Sequence, residues 1–201
     1  MRVREVAAEA ELSPAAVLYY FPDFFALAMQ AVSLAGSSRA SERAAVAASV
    51  PHPARRLVAL VALDLPEQVD GASRMLIDLP TMTREHPELV PLIDELVTGQ
   101  FDVYRSVVLD GVVSGVFAAD IDANEVTRGL LALLHSAHAA HVIGLENVDT
   151  VRPWVLACLG RLLGVSLPEV ATRPVGTAPS GINIPSPAGQ GAEPVSPANS
   201  G

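Results

Sequence analysis

Apolar residues recur at intervals of three and four along most of the chain, and the two-residue alternation of strands is sustained nowhere, so the pattern predicts an all-α protein. The clearest stripe is Leu89, Leu92, Ile93, Leu96, Val97, Phe101, Tyr104 and Val108. It marks one side of a long helix, with Pro87 at its start, where a missing amide donor costs nothing. That helix is expected to end in the stretch from Gly111 to Gly115. Asp122, with Glu125 three residues on, reads as a capping box opening a helix from about Ala123 to Ile143, stopped by Gly144. Asp149 is expected to cap a last helix, with Pro153 in its first turn and Trp154, Val155, Cys158, Leu159 and Leu162 along its apolar side. Two apolar helices so close in sequence are predicted to pair as an antiparallel hairpin. Upstream, the spacing predicts helices from Phe25 to about Ser49, from Pro53 to Leu63, and from about Ser73 to Arg84.

The pattern stops near Ala171. Pro174, Pro179, Pro185, Pro187, Pro194 and Pro197 then alternate with Gly and Ser, a composition that cannot offset its ordering entropy, and 171–201 is predicted to be a disordered tail. The whole has 201 residues, half of them hydrophobic, which excludes a wholly disordered chain. Its 13 basic residues, all Arg, face 22 acidic ones for a net charge of −9, which excludes a globally basic nucleic-acid coat but not a local basic face. A single cysteine, Cys158, excludes an internal disulfide and a thiolate-rich metal site, in keeping with a reducing cytoplasm. No run approaches the roughly 18 apolar residues of a membrane span, so no membrane partner is expected.

Candidate chemistry concentrates at the N-terminus, in the stretch VREVAAEAELSPAAVLYYFP over 3–22. Val6, Ala7 and Ala10 give a short helix whose small-residue face lets another helix approach closely. Ser13 follows a three-residue break as an N-cap, with Pro14 at the first helical position. Two short helices joined by so tight a turn meet the requirement of a helix-turn-helix, or form an ordinary helical hairpin; spacing does not separate the two.

This stretch resembles the DNA-binding region of TetR-family transcriptional regulators. The run Gly111-Val-Val-Ser-Gly115-Val-Phe117, followed by Asp120 and Asp122, resembles the loop before that family's last two helices. The resemblance implies an all-α fold in which a helix-turn-helix head precedes a ligand-binding and dimerisation domain. It divides the chain into a DNA-binding part with its connecting helix over 1–48, a ligand-binding and dimerising part over 49–170, and the tail. It also implies a double-stranded DNA operator, a small-molecule effector, a homodimer built on the helices near 123–143 and 150–163, and a repressor. Arg4 matches a position that reaches DNA, Pro14, Ala15 and Ala16 open the recognition helix, and Tyr19 and Tyr20 match the aromatic pair near its end. Amides near Ser13 can hold phosphate, alanine can touch a thymine methyl, and a tyrosine hydroxyl can position a phosphate. One of the two tyrosines is expected to pack inward. Arg2 adds a further attractive charge.

Three positions depart from the family pattern. Glu11 stands where the turn usually has glycine, Phe24 where a lysine is usual, and the chain begins after the place of the family's first helix. The true start is therefore expected upstream, or the chain is a truncated relative. Over 1–48, Arg2, Arg4, Arg39 and Arg43 are outnumbered by Glu5, Glu9, Glu11, Asp23 and Glu42, a poor balance for phosphate neutralisation. The competing reading is a helical ligand-binding or dimerisation module that has lost DNA binding.

The effector site is expected among Met75, Met82, Phe101, Tyr104, His135 and Trp154, where adaptable Met beside aromatics suits an apolar ligand. His135, His138 and His141 lie at i, i+3 and i+6. Neighbouring pairs could share a metal, but polar lining of a pocket or helix interface is the preferred reading, and neither a metal nor a cofactor is expected. Enzyme motifs such as G-x-S-x-G, H-E-x-x-H and the phosphate-binding glycine loops are absent from the sequence, so no enzyme is expected. Leu134 and Leu159 are expected in the dimer interface.

Overall fold

The computed structural model describes residues 3–168, so Arg2 and the stretch 171–201 lie outside it. Within the described residues the chain is all α: α1 (Val3–Glu9), α2 (Pro14–Tyr20), α3 (Phe24–Ser49), α4 (Pro53–Asp64), α5 (Gly71–Met82), α6 (Val90–Val113), α7 (Ala123–Val142) and α8 (Val148–Leu163). A 3₁₀ turn, Pro87–Leu89, leads into α6. No single described helix is long and apolar enough to cross a membrane.

Helix α6 is the hub, packing on α3, α4 and α7, while α8 closes against α4 and α7. Two cores result. The larger is built by α4, α6, α7 and α8 around Leu57, Leu60, Tyr104, Val107, Leu130 and Leu159; the smaller joins Val32 of α3, Leu79 of α5 and Leu89, with Phe25, Met29, Met75 and Met82 around them.

Local chemistry explains the boundaries. Asp23, Asp70, Asp122 and Asn147 each accept from an amide of the first turn that follows, meeting donors that have no partner within the helix. The last helix is thus capped by Asn147, whose Oδ1 accepts from Asp149 N at 2.9 Å, and not by Asp149. It starts earlier than expected, which leaves Pro153 inside the helix. In the loop after α6, Gly115 takes φ 71°, and Val116 and Phe117 both donate to Gly111 O at 2.8 and 2.9 Å. Phe117 folds back over Gly111, where a Cβ would strike its ring.

The apolar side of α8 proves to be two faces. Val155 and Leu159 are fully buried, whereas Trp154 and Leu162 are 50% and 44% exposed. Leu159 and Leu134 belong to the internal core and are not free to meet a partner. The exposed apolar residues of α7 and α8 are Ala132, Ala157, Trp154 and Leu162, with Ile143 just past the end of α7.

Candidate functional site

Helices α1 and α2 pack on each other and bury Ala7 and Val17. The turn between them is a Schellman motif: Leu12 N donates to Ala7 O at 2.8 Å and Glu11 N to Ala8 O at 3.2 Å. The motif requires a left-handed residue, and Glu11 supplies it with φ 56°. The ends of α6, α7 and α8 use the same motif, with Gly115, Gly144 and Gly164 in that place. Ser13 Oγ accepts from Ala16 N at 3.1 Å, so its side chain caps α2. Arg4, Pro14 and Ala15 are exposed and Ala16 is half-buried. Both tyrosines point outward, Tyr19 82% and Tyr20 76% exposed, with rings 5.0 Å apart edge to face; the expected inward tyrosine is not there. Val17 fills the small head core in its place. After Asp23 the chain bends by 69° into α3.

The second site is a cavity of about 250 Å³ among α3, α5, α6 and α7. Gly36, Arg39 and Arg43 of α3 form one wall, at i, i+3 and i+7. Leu76, Ile77 and Leu79 of α5, Ile93, Leu96 and Val97 of α6, and Leu134 of α7 make the apolar part. Asp64, Gln100, His135 and His138 form the polar end, and Ser73 adds a buried hydroxyl to the wall.

That polar end is organised by one buried carboxylate. Asp64, the last residue of α4, receives Arg43 in fork geometry, with Nη2 at 2.8 Å from Oδ1 and Nε at 2.9 and 3.0 Å from the two oxygens. Tyr104 Oη and Gln100 Nε2 donate to Oδ2 at 2.8 and 2.9 Å. Burial, reinforced by the carboxylate, pushes the Tyr104 hydroxyl well above its ordinary pKa, so it stays a donor. Gln100 Oε1 meets His135 Nε2 at 2.8 Å.

The carbonyls at the end of α4, which have no partner within the helix, are covered by the same neighbourhood. Arg39 donates to Leu63 O at 3.1 Å, His138 Nδ1 to Asp64 O at 2.9 Å, Arg152 to Leu65 O at 2.6 Å and His141 Nε2 to Pro66 O at 3.1 Å. Two of the three histidines therefore hold a helix end, and His135 faces the cavity. Desolvation lowers the pKa of both His135 and His138 below the ordinary value, against the pull of Asp64.

Of the six residues proposed for the ligand site, His135 lines this cavity and Tyr104 lies beneath it on Asp64. Met75 and Met82 pack on the smaller core, Phe101 lies under the Arg128 guanidinium at 5.5 Å, and Trp154 is on the outer face of α8. Arg39 and Arg43, which sequence reasoning counted with the head, belong to the cavity. The sequence leaves Asp64 and Gln100 unassigned, whereas His138 falls under the polar-lining reading of the three histidines. The available signal was a polar residue, Gln100, set between Leu96 and Tyr104 in an apolar stripe.

No family model and no curated protein matches the chain. Solved structures do. A TetR transcription regulator from Haloarcula marismortui superposes with a TM-score of 0.71 at 20% identity, covering 84% of this chain and 88% of that one. A TetR-family transcriptional regulator from Rhodococcus sp. gives 0.65 at 15%, covering 81% and 87%. The transcriptional regulator FadR from Bacillus subtilis, solved with stearoyl-CoA, gives 0.62 at 12%, covering 79% and 87%. These neighbours are regulators and not enzymes, and the chain has the all-α fold of TetR-family transcriptional regulators.

Proposed function

We propose that the chain is a DNA-binding transcriptional regulator of the cytoplasm, a homodimeric repressor released from its operator by a small molecule bound in the cavity. The observation that carries this reading is α3. One uninterrupted 26-residue helix follows the recognition helix α2 and, at Gly36, Arg39 and Arg43, forms a wall of the cavity. Occupancy of the cavity thus acts on the element that sets the angle of the DNA-reading head. The head would contact the operator through Arg2, Arg4, the start of α2 from Ser13 to Ala16, and the hydroxyls of Tyr19 and Tyr20. The likeness to regulators, one of them solved with an acyl-CoA, supports the reading at the level of fold.

The test is selection of duplexes from a random pool, followed by fluorescence anisotropy over a salt series. Arg2 and Arg4 in two heads give four cationic contacts, so the slope of log K against log salt should be no steeper than about −3.6. Failure to enrich any duplex would refute the reading. A specific observation favours the second one, a ligand-binding module without DNA affinity: with Arg39 and Arg43 committed to the cavity, the described head retains only Arg4 against Glu5, Glu9, Glu11 and Asp23.

A further inference from the structure

The polar end of the cavity has a hydrogen-bond direction that can be followed atom by atom. Asp64 only accepts, so the Gln100 amide must present Nε2 to it and turn Oε1 away. Oε1 in turn only accepts, which places the proton of His135 on Nε2. Nδ1 of His135 is left as a lone-pair acceptor. It has no hydrogen-bond partner among the described residues, on an exposed ring that lines the cavity.

Charge narrows the occupant further. Arg43 is matched by Asp64, and Arg39 lies 3.5 Å from Glu42 and 3.9 Å from Asp70 while donating to Leu63 O. Both guanidinium groups of the wall are therefore already paired, and an anion would meet the lone pair of a neutral imidazole. Partial desolvation lowers the pKa of that ring, against the pull of Asp64. Apart from these groups and the buried hydroxyl of Ser73, the wall is apolar. About 250 Å³ lies just below the roughly 300–1,000 Å³ of pockets that take drug-sized ligands, which favours a small occupant.

We infer that the cavity takes a small, uncharged, mostly apolar molecule carrying one hydrogen-bond-donating hydroxyl, an alcohol or phenol, whose O–H is accepted by Nδ1 of His135. This rests on the effector reading above and specifies its ligand. A hydroxyl satisfies this open acceptor, and its hydrocarbon part lies against Leu76, Ile93, Leu96 and Leu134.

The test is calorimetric titration of the full chain with 4-propylphenol, its methyl ether and 4-propylbenzoate, which share one shape and differ in donor and charge. The phenol should bind about tenfold more tightly than the ether, since one hydrogen bond is at stake, and the benzoate should bind no better than the ether. His135→Phe keeps a ring and removes the acceptor, so it should bring the phenol down to the affinity of the ether while leaving the ether unchanged. Equal binding of phenol and ether, tightest binding of the benzoate, a phenol preference that survives His135→Phe, or no heat from any probe would each overturn the inference. Addition of the selected duplex separates the two ideas: His135-dependent phenol binding that leaves DNA affinity untouched upholds the ligand class and refutes the regulator.

Discussion

Replacing Glu11 by glycine should stabilise the head. Four helix ends in the described chain close with one hydrogen-bond pattern, and Glu11 alone among the four left-handed residues carries a side chain. At φ 56° its Cβ crowds the following carbonyl, a cost of about 1–2 kcal/mol, partly offset because glycine loses more backbone entropy on folding. The net gain of Glu11→Gly should be about 1 kcal/mol. Gly144 supplies the converse within the same molecule: φ is 76° and a Cβ there meets nothing within 4 Å, so Gly144→Ala isolates the backbone term and should cost about 1 kcal/mol. Amide exchange reads both locally. Protection of the Leu12 amide, bonded to Ala7 O, should rise about fivefold in Glu11→Gly, and that of Leu145, bonded to Ala140 O, should fall by a like factor in Gly144→Ala. Glu11→Gln, which keeps the strain and removes the charge, should leave Leu12 unchanged. If Gly144→Ala behaves as expected and Glu11→Gly has no effect, the turn is not strained by its side chain and the reasoning fails.

Other consequences are independent of this one. Asp64→Asn leaves Arg43 buried without its carboxylate and should cost about 3–5 kcal/mol by denaturant unfolding, with Arg43→Met in the same chain restoring most of it; equal stability of single and double variants would contradict the pairing. Trp154→Arg should give a folded monomer from a dimeric parent in sedimentation, whereas Leu134→Arg should unfold the chain; a monomeric parent would refute the proposed dimer. Because His135 and His138 are held neutral, the unfolded chain takes up protons first. Their contribution is complete above the ordinary value of 6.5 and is lost as pH falls from there toward the lowered folded values. His138 faces Asp64, Arg39 and His141, and His135 faces Asp64, His138 and Arg43. His138→Gln, which can still donate to Asp64 O, should flatten the melting profile between pH 7.5 and 5.5; an unchanged slope would argue against burial as the cause.

Helix positions were legible because each cap is local: Asp122 and Gly144 mark their ends within four residues of sequence. Where two capping residues compete, as Asn147 and Asp149 do, the sequence offers no way to rank them, and tertiary packing of Val148 and Val151 decides for the earlier start. Sidedness was harder. An apolar stripe shows that a face is buried but not against what, and Trp154 and Leu159 share a stripe in sequence while one faces outward and the other the core. The cavity was least legible, because Arg43 and Asp64 are 21 residues apart and Asp64 and Gln100 another 36. Nothing local tells a buried carboxylate from a helix-terminal one facing water. The polar residue in the apolar stripe of α6 was the one local mark, and its meaning depended on partners the fold brings in.

The geometry of α3 bears on how a small occupant could act on DNA under the proposed reading. Its C-terminal half is pinned: Arg43 forks onto Asp64, and Arg56 donates to Val50 O at 2.7 Å just past the helix end. Its N-terminal half rests on the smaller core and on Leu96, which presses against Gly36 so closely that a Cβ there would collide with it. At 1.5 Å per residue, Gly36 lies about 10 Å from Arg43 and Phe24 about 28 Å from it. A ligand that shifts Leu96, and with it Gly36, by about 1 Å therefore moves the helix start by nearly 3 Å if α3 tilts rigidly about Arg43. The salt bridge is then not an end in itself. Without it α3 has no fulcrum, and Asp64→Asn rescued in stability by Arg43→Met should transmit to DNA only a small share of whatever ligand binding the altered cavity keeps. A rescued double variant that responds to ligand as fully as the parent would place the fulcrum elsewhere along the helix.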